Sequence, residues 1–181
     1  MKRTLFAALA AASVFALPAS APADLPKGAR APQIVAQGAL AGKVFTFNLE
    51  QALKKGPVVL YFYPKAFTQG CTFEARAFAE ASAEFRAAGA TVVGMSADDL
   101  PSLQRFSTEA CRDKFAVAIA SPQTIAAYDV VLKKADGSAT GLSTRTSYVI
   151  GKDRRIKFVY TNMDYREHVK QTLQAVKALR R

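Results

Sequence analysis

Histidine is scarce in this chain of 181 residues, and its scarcity limits the chemistry that the chain can perform. One histidine, His168, stands in the whole sequence, so metal centres and catalytic triads that need several imidazoles are largely excluded. His168 lies in a polar stretch of a predicted C-terminal helix, where we expect it on the surface. We therefore predict no metal site and no cofactor.

Cysteine is nearly as rare, since Cys71 and Cys111 are the only two and lie 40 residues apart. The fourth position counted from Cys71 is Glu74, so the Cys-x-x-Cys motif of thiol–disulfide oxidoreductases is missing. A Cys-x-x-x-Cys copper-delivery site is disfavoured because the matching position is Ala75 and one histidine is available. The two cysteines could still form a permanent disulfide in a non-enzymatic binding module, or Cys71 could be a reactive thiol.

An apolar run long enough to span a bilayer comfortably is missing at the N-terminus, where residues 5–17 form a run of only 13. Two basic residues precede this run, and Ala21-Pro22-Ala23 places small residues at the −3 and −1 positions before Asp24. These features predict a signal peptide over residues 1–23 and a mature domain over residues 24–181. In a bacterium the protein would be periplasmic or secreted, without stable membrane insertion after cleavage.

Acidic residues are outnumbered, with 14 against 25 lysines and arginines, which gives a formal net charge of +11. Loss of Lys2 and Arg3 with the signal peptide would leave +9. The basic residues are scattered, with mild clusters at 152–157 and in the C-terminal helix, and no aromatic side chains alternate with them. We interpret this charge as a solvated surface and predict no nucleic-acid partner.

Hydrophobic periodicity predicts a single α/β domain. The continuous apolar runs at 57–64 and 91–96 are typical of strands buried on both faces, as in parallel sheets. A helix is predicted between them over 68–86, with Phe73 and Phe78 facing inward. The remaining predictions are an extended lead-in at 24–33, strands at 43–47 and 115–120, helices at 49–55, 97–111, 122–128 and 165–178, a polar loop at 133–143, and a hairpin of 144–150 with 156–160. Parallel βαβ units followed by a hairpin and a closing helix make a mixed central sheet with helices on both faces, which is the order of the thioredoxin-like fold.

Cys71 follows the buried strand directly, at the start of the predicted helix and beside Gly70. A thiolate at this position faces the unpaired backbone N–H groups of Gly70 and Cys71 and the positive end of the helix dipole, which favours ionisation. A larger thiolate fraction is worth only about 30-fold in rate, or about 2 kcal/mol of barrier. Further donors are therefore needed, and Thr68 offers a hydroxyl while an arginine would supply a fixed cation.

Residues 61–74 read Tyr-Phe-Tyr-Pro-Lys-Ala-Phe-Thr-Gln-Gly-Cys-Thr-Phe-Glu and resemble the peroxiredoxin signature Pro-x-x-x-Thr/Ser-x-x-Cys. The flanking residues are similar to those of the Q-type, bacterioferritin-comigratory branch of that family. Ala31-Pro32, residues 93–98 and residues 145–150 also match the family pattern, so the resemblance covers nearly all of the chain after residue 24.

The resemblance implies a thioredoxin-dependent type of thiol peroxidase that reduces hydrogen peroxide and organic hydroperoxides. Cys71 would attack the peroxide and become a sulfenic acid, while Thr68 and the N–H groups of Gly70 and Cys71 would bind the substrate. Pro64 would shield the sulfur from water, and Arg145 would stabilise the thiolate. Each role has a plainer alternative: Pro64 could only end the strand, Thr68 could only cap the helix, and Arg145 could be a surface residue near Arg154 and Arg155.

Recycling of the sulfenic acid depends on Cys111. Many Q-type members carry a second cysteine five residues after the first, and that position is Arg76 here. Cys111 is the remaining resolving candidate, with a half-buried inert thiol as the alternative. An intramolecular disulfide needs Cα atoms within about 7 Å, which we expect to require unwinding of the first helical turn after Cys71. The resemblance further implies a thioredoxin-like or other thiol reductant and a monomer.

Overall fold

The computed structural model describes residues 24–180, and the predicted signal peptide over 1–23 lies outside the described residues. A short 3-10 turn at Tyr165–Glu167 precedes the last helix. In chain order the elements are β1 (Val35–Leu40), β2 (Lys43–Asn48), α1 (Leu49–Lys55), β3 (Val58–Phe62), α2 (Gln69–Glu80), α3 (Ser82–Ala87), β4 (Thr91–Ser96), α4 (Leu100–Glu109), β5 (Ala116–Ile119), α5 (Pro122–Ala127), β6 (Val131–Lys133), β7 (Ala139–Ser143), β8 (Thr146–Ile150), β9 (Ile156–Thr161) and α6 (His168–Ala178).

Seven strands form one mixed sheet in the order β2-β1-β5-β4-β3-β8-β9. The three central strands, β3, β4 and β5, are parallel, whereas β8 pairs antiparallel with β3 and β1 pairs antiparallel with β5. The predicted mixed sheet is thus confirmed.

Among the helices of residues 24–180, none combines the length and the apolar character that a membrane crossing requires.

Strand β3 divides the core into two layers because successive side chains of a strand point to opposite faces. Val59 and Tyr61 join one apolar cluster, against α2, α3, α4 and α6, whereas Val58, Leu60 and Phe62 join the other, against α1 and α5. Helices therefore cover both faces of the sheet, as predicted. All five residues of β3 are buried, which fixes the position of the loop that follows it.

Strand β1 is missing from the predicted elements, because its sequence Val-Ala-Gln-Gly-Ala-Leu is poor in the β-branched and aromatic residues that indicate strands. It pairs along its full length with β2. The polar loop predicted at 133–143 is wrong over part of its length, because it contains the whole of β7, which pairs with β6 in a small two-stranded sheet.

The helix predicted over 68–86 is divided at Ala81, whose ψ of −1° interrupts the helical geometry between α2 and α3. Phe78 is buried in the core, as predicted. Phe73 is 41% exposed, so its predicted inward position is wrong, and its ring lies near that of Tyr165 with 5.9 Å between centroids.

Candidate active site

The loop between β3 and α2 is held in a defined conformation from two sides. Asp98 accepts at one oxygen, Oδ2, from the backbone N–H of Ala66 and from the hydroxyl of Ser96, at 2.8 Å each. Phe67 has a φ of 62°, which costs a non-glycine residue about 1–3 kcal/mol and persists only where the surroundings impose it. Its ring packs edge-on against Phe106, with 5.2 Å between centroids. The loop is thus anchored before it reaches Cys71.

Cys71 occupies the first turn of α2, where backbone N–H groups have no acceptor within the helix. Its thiol is 2% exposed, and Nη2 of Arg145 donates to its Sγ across 3.4 Å. Arg145 reaches this sulfur because it directly precedes β8, whose residue Thr146 pairs with Phe62 at the end of β3. The alternative that Arg145 is a surface residue is wrong, since it is 5% exposed.

Gly70 leaves the space that the Arg145 side chain occupies. A Cβ atom at this position would lie 3.3 Å from Nη2 of Arg145, which is tighter than an ordinary contact. The guanidinium is held further by its Nε, which donates to the backbone carbonyl of Met163 at 3.0 Å. The position of the cation therefore depends on the missing side chain at Gly70 and on the carbonyl of Met163.

The two neighbouring arginines contact other parts of the molecule. Arg154 donates through Nε to the carbonyl of Ala31 at 2.8 Å, and Arg155 donates through Nη1 to the carbonyl of Gly28 at 2.9 Å. Both therefore anchor the segment before β1. Of the three candidate arginines, Arg145 is the one that reaches Cys71.

Glu74 is a site residue to which the sequence patterns assign no role. It lies three residues after Cys71 on α2, is fully buried, and accepts at Oε2 from Nη1 of Arg145. Burial raises the pKa of Glu74 to about 8, although the charge and the hydrogen bond of Arg145 act in the opposite direction. Its other oxygen, Oε1, is buried without a hydrogen-bond partner. The Arg145 guanidinium thus contacts two acidic groups, one at each terminal nitrogen.

The surface position predicted for His168 is wrong, because its side chain is fully buried. Nδ1 lies 2.8 Å from the hydroxyl of Ser147, and Nε2 lies 2.8 Å from the carbonyl oxygen of Asn162. Glu74 Oε1 is 3.7 Å from Nδ1. Burial lowers the pKa of His168 to about 4. The surface prediction rested on the polar residues beside His168 in the sequence. In the fold, His168 is the first residue of α6 and faces β8 rather than solvent.

Thr68 and Pro64 lie in the loop as predicted, and their roles stay predictions. Thr68 is exposed, and its hydroxyl donates to the carbonyl of Lys65 at 3.0 Å. Its side chain makes no capping hydrogen bond to α2, which removes the alternative of a side-chain helix cap. Pro64 is half-buried directly after the end of β3.

Cys111 is fully buried in the same apolar cluster as Cys71, and both are free thiols. It follows α4 rather than lying within it, and its backbone N–H donates to the carbonyl of Phe106 at 3.0 Å. Burial raises the pKa of the Cys111 thiol, so the group stays protonated in this conformation.

Within residues 24–180, no group of three or more histidine, cysteine or acidic side chains has the arrangement of a metal site.

Comparison with known protein families matches residues 28–159 to the model of the AhpC/TSA family. The chain belongs to the AhpC/TSA family. Among its relatives is a peroxiredoxin Q of rice chloroplasts (Oryza sativa subsp. japonica), 34% identical over 127 residues, which are 70% of this chain and 57% of that protein. A putative peroxiredoxin of Mycobacterium tuberculosis is 34% identical over 136 residues, or 74% of this chain and 86% of the relative. The chain thus spans little more than half the length of the plant relatives.

Solved structures confirm the thioredoxin-like peroxiredoxin fold for this AhpC/TSA-family chain. The crystal structure of peroxidoxin BcpB from Mycobacterium tuberculosis superposes with a TM-score of 0.75 at 28% identity, covering 86% of this chain and 98% of that one. Thioredoxin peroxidase I of Plasmodium yoelii superposes with a TM-score of 0.73 at 21% identity, covering 86% and 91% of the two chains. The predicted family and fold are both confirmed.

Replacement of Arg145 by glutamine tests the contact at the centre of this AhpC/TSA site. We expect alkylation of Cys71 by iodoacetamide at pH 7 to slow by about tenfold or more, because the thiolate loses a buried cation and a charged donor. The measurement is made in a Cys111→Ser background, so that Cys71 is the one thiol. Arg155→Gln is the matched control, and equal rates in the two arginine variants would show that Arg145 does not activate Cys71.

Proposed function

We propose that this protein is a thiol-dependent peroxidase in which Cys71 is the peroxide-attacking residue. The observation that carries the proposal is the buried contact between Arg145 Nη2 and Cys71 Sγ, 3.4 Å long, at the start of α2. A fixed cation beside a cysteine at a helix start stabilises the thiolate, which is the nucleophilic form. The peroxiredoxin names of the relatives point to the same chemistry.

The reaction transfers one oxygen atom from the peroxide to sulfur. The thiolate of Cys71 attacks the nearer peroxide oxygen, the S–O bond forms as the O–O bond breaks, and the departing oxygen takes a proton to leave as water or an alcohol. Sulfur is oxidised to a sulfenic acid and the peroxide is reduced. Charge develops on the departing oxygen, so donors aimed at it lower the barrier. Arg145 and the N–H groups of Gly70 and Cys71 are the donors that we assign to this task.

Thr68 and Pro64 complete the proposed site. The hydroxyl of Thr68 already donates its proton to the carbonyl of Lys65, so its oxygen is left to accept a hydrogen bond from the peroxide O–H. This would orient the peroxide with one oxygen towards the sulfur. Pro64 has no backbone N–H that could bind a water molecule, and we propose that its ring limits the access of water to the thiolate.

Hydrogen peroxide and organic hydroperoxides are the proposed substrates. A thioredoxin-like thiol protein is the proposed reductant, and the protein is proposed to act as a monomer.

Stopped-flow mixing of the reduced protein with hydrogen peroxide tests this function. We expect rapid peroxide consumption to fall by about 1000-fold or more in Cys71→Ser, because a serine hydroxyl is not an effective nucleophile here. Equal consumption by both proteins would refute the peroxidase proposal. Reduction of insulin disulfides without peroxide consumption would instead favour an exported thiol–disulfide oxidoreductase.

Cys111 is the proposed resolving residue, through an intramolecular disulfide with Cys71. Both thiols lie in one apolar cluster, and the turn after Cys111 carries two non-glycine residues with positive φ, Arg112 at 50° and Asp113 at 59°. Such residues are strained, so local unfolding of this turn releases strain that offsets part of the cost of exposing Cys111. The attack of the Cys111 sulfur on the sulfenic acid forms the S–S bond and releases water.

Non-reducing peptide mapping after one equivalent of peroxide tests the resolving step. We expect a peptide pair joined through Cys71 and Cys111 in the monomer, and a lasting sulfenic acid at Cys71 in Cys111→Ser. A lasting sulfenic acid in the unaltered protein would indicate a one-cysteine mechanism. A cross-link between two chains would place the resolving thiol in a second copy.

We also propose that the protein acts outside the cytoplasm, on the basis of the N-terminal sequence alone. The basic start, the short apolar run and the Ala-Pro-Ala site before Asp24 support this proposal. When the full chain is expressed in a bacterium, we expect it in the periplasmic extract with a mass that begins at Asp24. A full-length chain in the cytosolic fraction would contradict export.

A further inference from the structure

The buried His168 ring has no part in the proposed reaction, yet it faces the carboxyl group that shares Arg145 with Cys71. Its Nδ1 is 3.7 Å from Oε1 of Glu74, and both side chains are fully excluded from solvent. A buried imidazole beside a buried carboxyl is costly unless each polar atom has a partner of the right kind. The hydrogen-bond partners of the ring therefore restrict which atoms carry protons.

The tautomer of His168 follows from its two short contacts. Nε2 lies 2.8 Å from the carbonyl oxygen of Asn162, which can only accept, so Nε2 must carry a hydrogen. A neutral ring then has a lone pair at Nδ1, which accepts from the hydroxyl of Ser147 at 2.8 Å. Nδ1 in this state offers no hydrogen to Glu74.

The environment of Glu74 Oε1 consequently suits a neutral carboxyl group. Oε1 has no hydrogen-bond partner, and the nearby ring nitrogen presents a lone pair. An ionised Glu74 would leave one carboxylate oxygen unsolvated and facing that lone pair, whereas a protonated Oε1 carries a hydrogen that relieves the repulsion. Burial acts in the same direction, since it raises the pKa of Glu74 to about 8 and lowers that of His168 to about 4.

The charge on Glu74 matters for Cys71 because the two groups contact opposite ends of one guanidinium. With Glu74 neutral, the positive charge of Arg145 is balanced by the thiolate alone. With Glu74 ionised, two buried negative groups share one cation, and the thiolate is less stable. The protonation state of Glu74 thus sets how much of the Arg145 charge the sulfur receives.

We propose that His168 is a positioning residue that acts through Glu74: its neutral, Nε2–H tautomer withholds a donor from the carboxyl, keeps it protonated, and so reserves Arg145 for the Cys71 thiolate. The inference rests on the proposed role of Cys71 as a thiolate and does not require that peroxide be the substrate. The other titratable groups near this cluster include Tyr61 on β3, Tyr63 directly after β3, Tyr160 on β9 and Asp164 before α6.

The tautomer is tested by nitrogen NMR of the histidine ring in the reduced, unaltered protein. Because the chain has one histidine, its ring signals need no assignment by mutation. We expect a neutral ring with hydrogen on Nε2 from about pH 5.5 to 8. A ring with hydrogen on Nδ1 at pH 7, whether neutral or cationic, would overturn the proposal even if every variant failed to fold.

The coupling to Cys71 is tested by alkylation across pH, in the Cys111→Ser background. In His168→Gln, the new amide N–H can donate to Oε1 and favour the carboxylate, so we expect the midpoint of the alkylation profile to rise by about one pH unit. Adding Glu74→Gln, which keeps an acceptor for Arg145 but cannot ionise, should return the midpoint to its original value. Adding Glu80→Gln, at the exposed end of α2, should not.

Two results would contradict the coupling. If His168→Gln leaves the midpoint unchanged in a folded protein, the ring does not influence Cys71. If the midpoint rises but Glu74→Gln does not restore it, His168 acts by packing rather than through the carboxyl. The tautomer is measured by NMR and the coupling by alkylation, and neither measurement involves peroxide. A failure of this inference is therefore distinct from a failure to reduce peroxide.

Discussion

The site depends on one buried guanidinium that is shared between a thiol and a carboxyl group. Arg145 contacts Cys71 through Nη2 and Glu74 through Nη1, while its Nε is fixed to the carbonyl of Met163. Isolated charges are expensive to bury, and a buried cation is stable only when its donors and its charge are both matched. Each group in this cluster therefore depends on the others for its position and its protonation state.

The fold brings these groups together from separate parts of the sequence. Cys71 and Glu74 lie on one face of the first turns of α2, immediately after the buried strand β3. Arg145 lies beside this helix start because β8 pairs antiparallel with β3 and places Thr146, the next residue, opposite Phe62. His168, at the start of α6, reaches the cluster through Nδ1, which lies beside Oε1 of Glu74. The mixed sheet thus serves as a frame that aligns a helix start with the residue before an adjacent strand.

Strong local patterns made the central part of this arrangement predictable from the sequence. The continuous apolar run of β3, the Pro-x-x-x-Thr-x-x-Cys loop and the helix start at Cys71 all lie within 15 residues, where neighbours in sequence are neighbours in space. Arg145 was found through the family pattern, because no local signal tells a buried arginine from Arg154 or Arg155. Strand β1 was missed because alanine and glycine have low strand propensity. Backbone pairing with β2 along its full length stabilises the strand despite this composition. His168 was misplaced because burial of a single polar residue depends on its hydrogen-bond partners in the fold, here the Ser147 hydroxyl and the Asn162 carbonyl, which periodicity cannot register.

The most direct test of the shared guanidinium is a double-mutant cycle that compares Glu74→Ala, Arg145→Gln and their combination in the reaction of reduced Cys71 with hydrogen peroxide. Glu74 acts on the sulfur only through Arg145, and its neutral carboxyl accepts the hydrogen bond that holds the guanidinium in place. We therefore expect Glu74→Ala to slow the reaction of the unaltered protein. The same change should cause no further loss once Arg145 is replaced. If the two losses multiply instead, Glu74 and Arg145 act on Cys71 independently, and the account is contradicted.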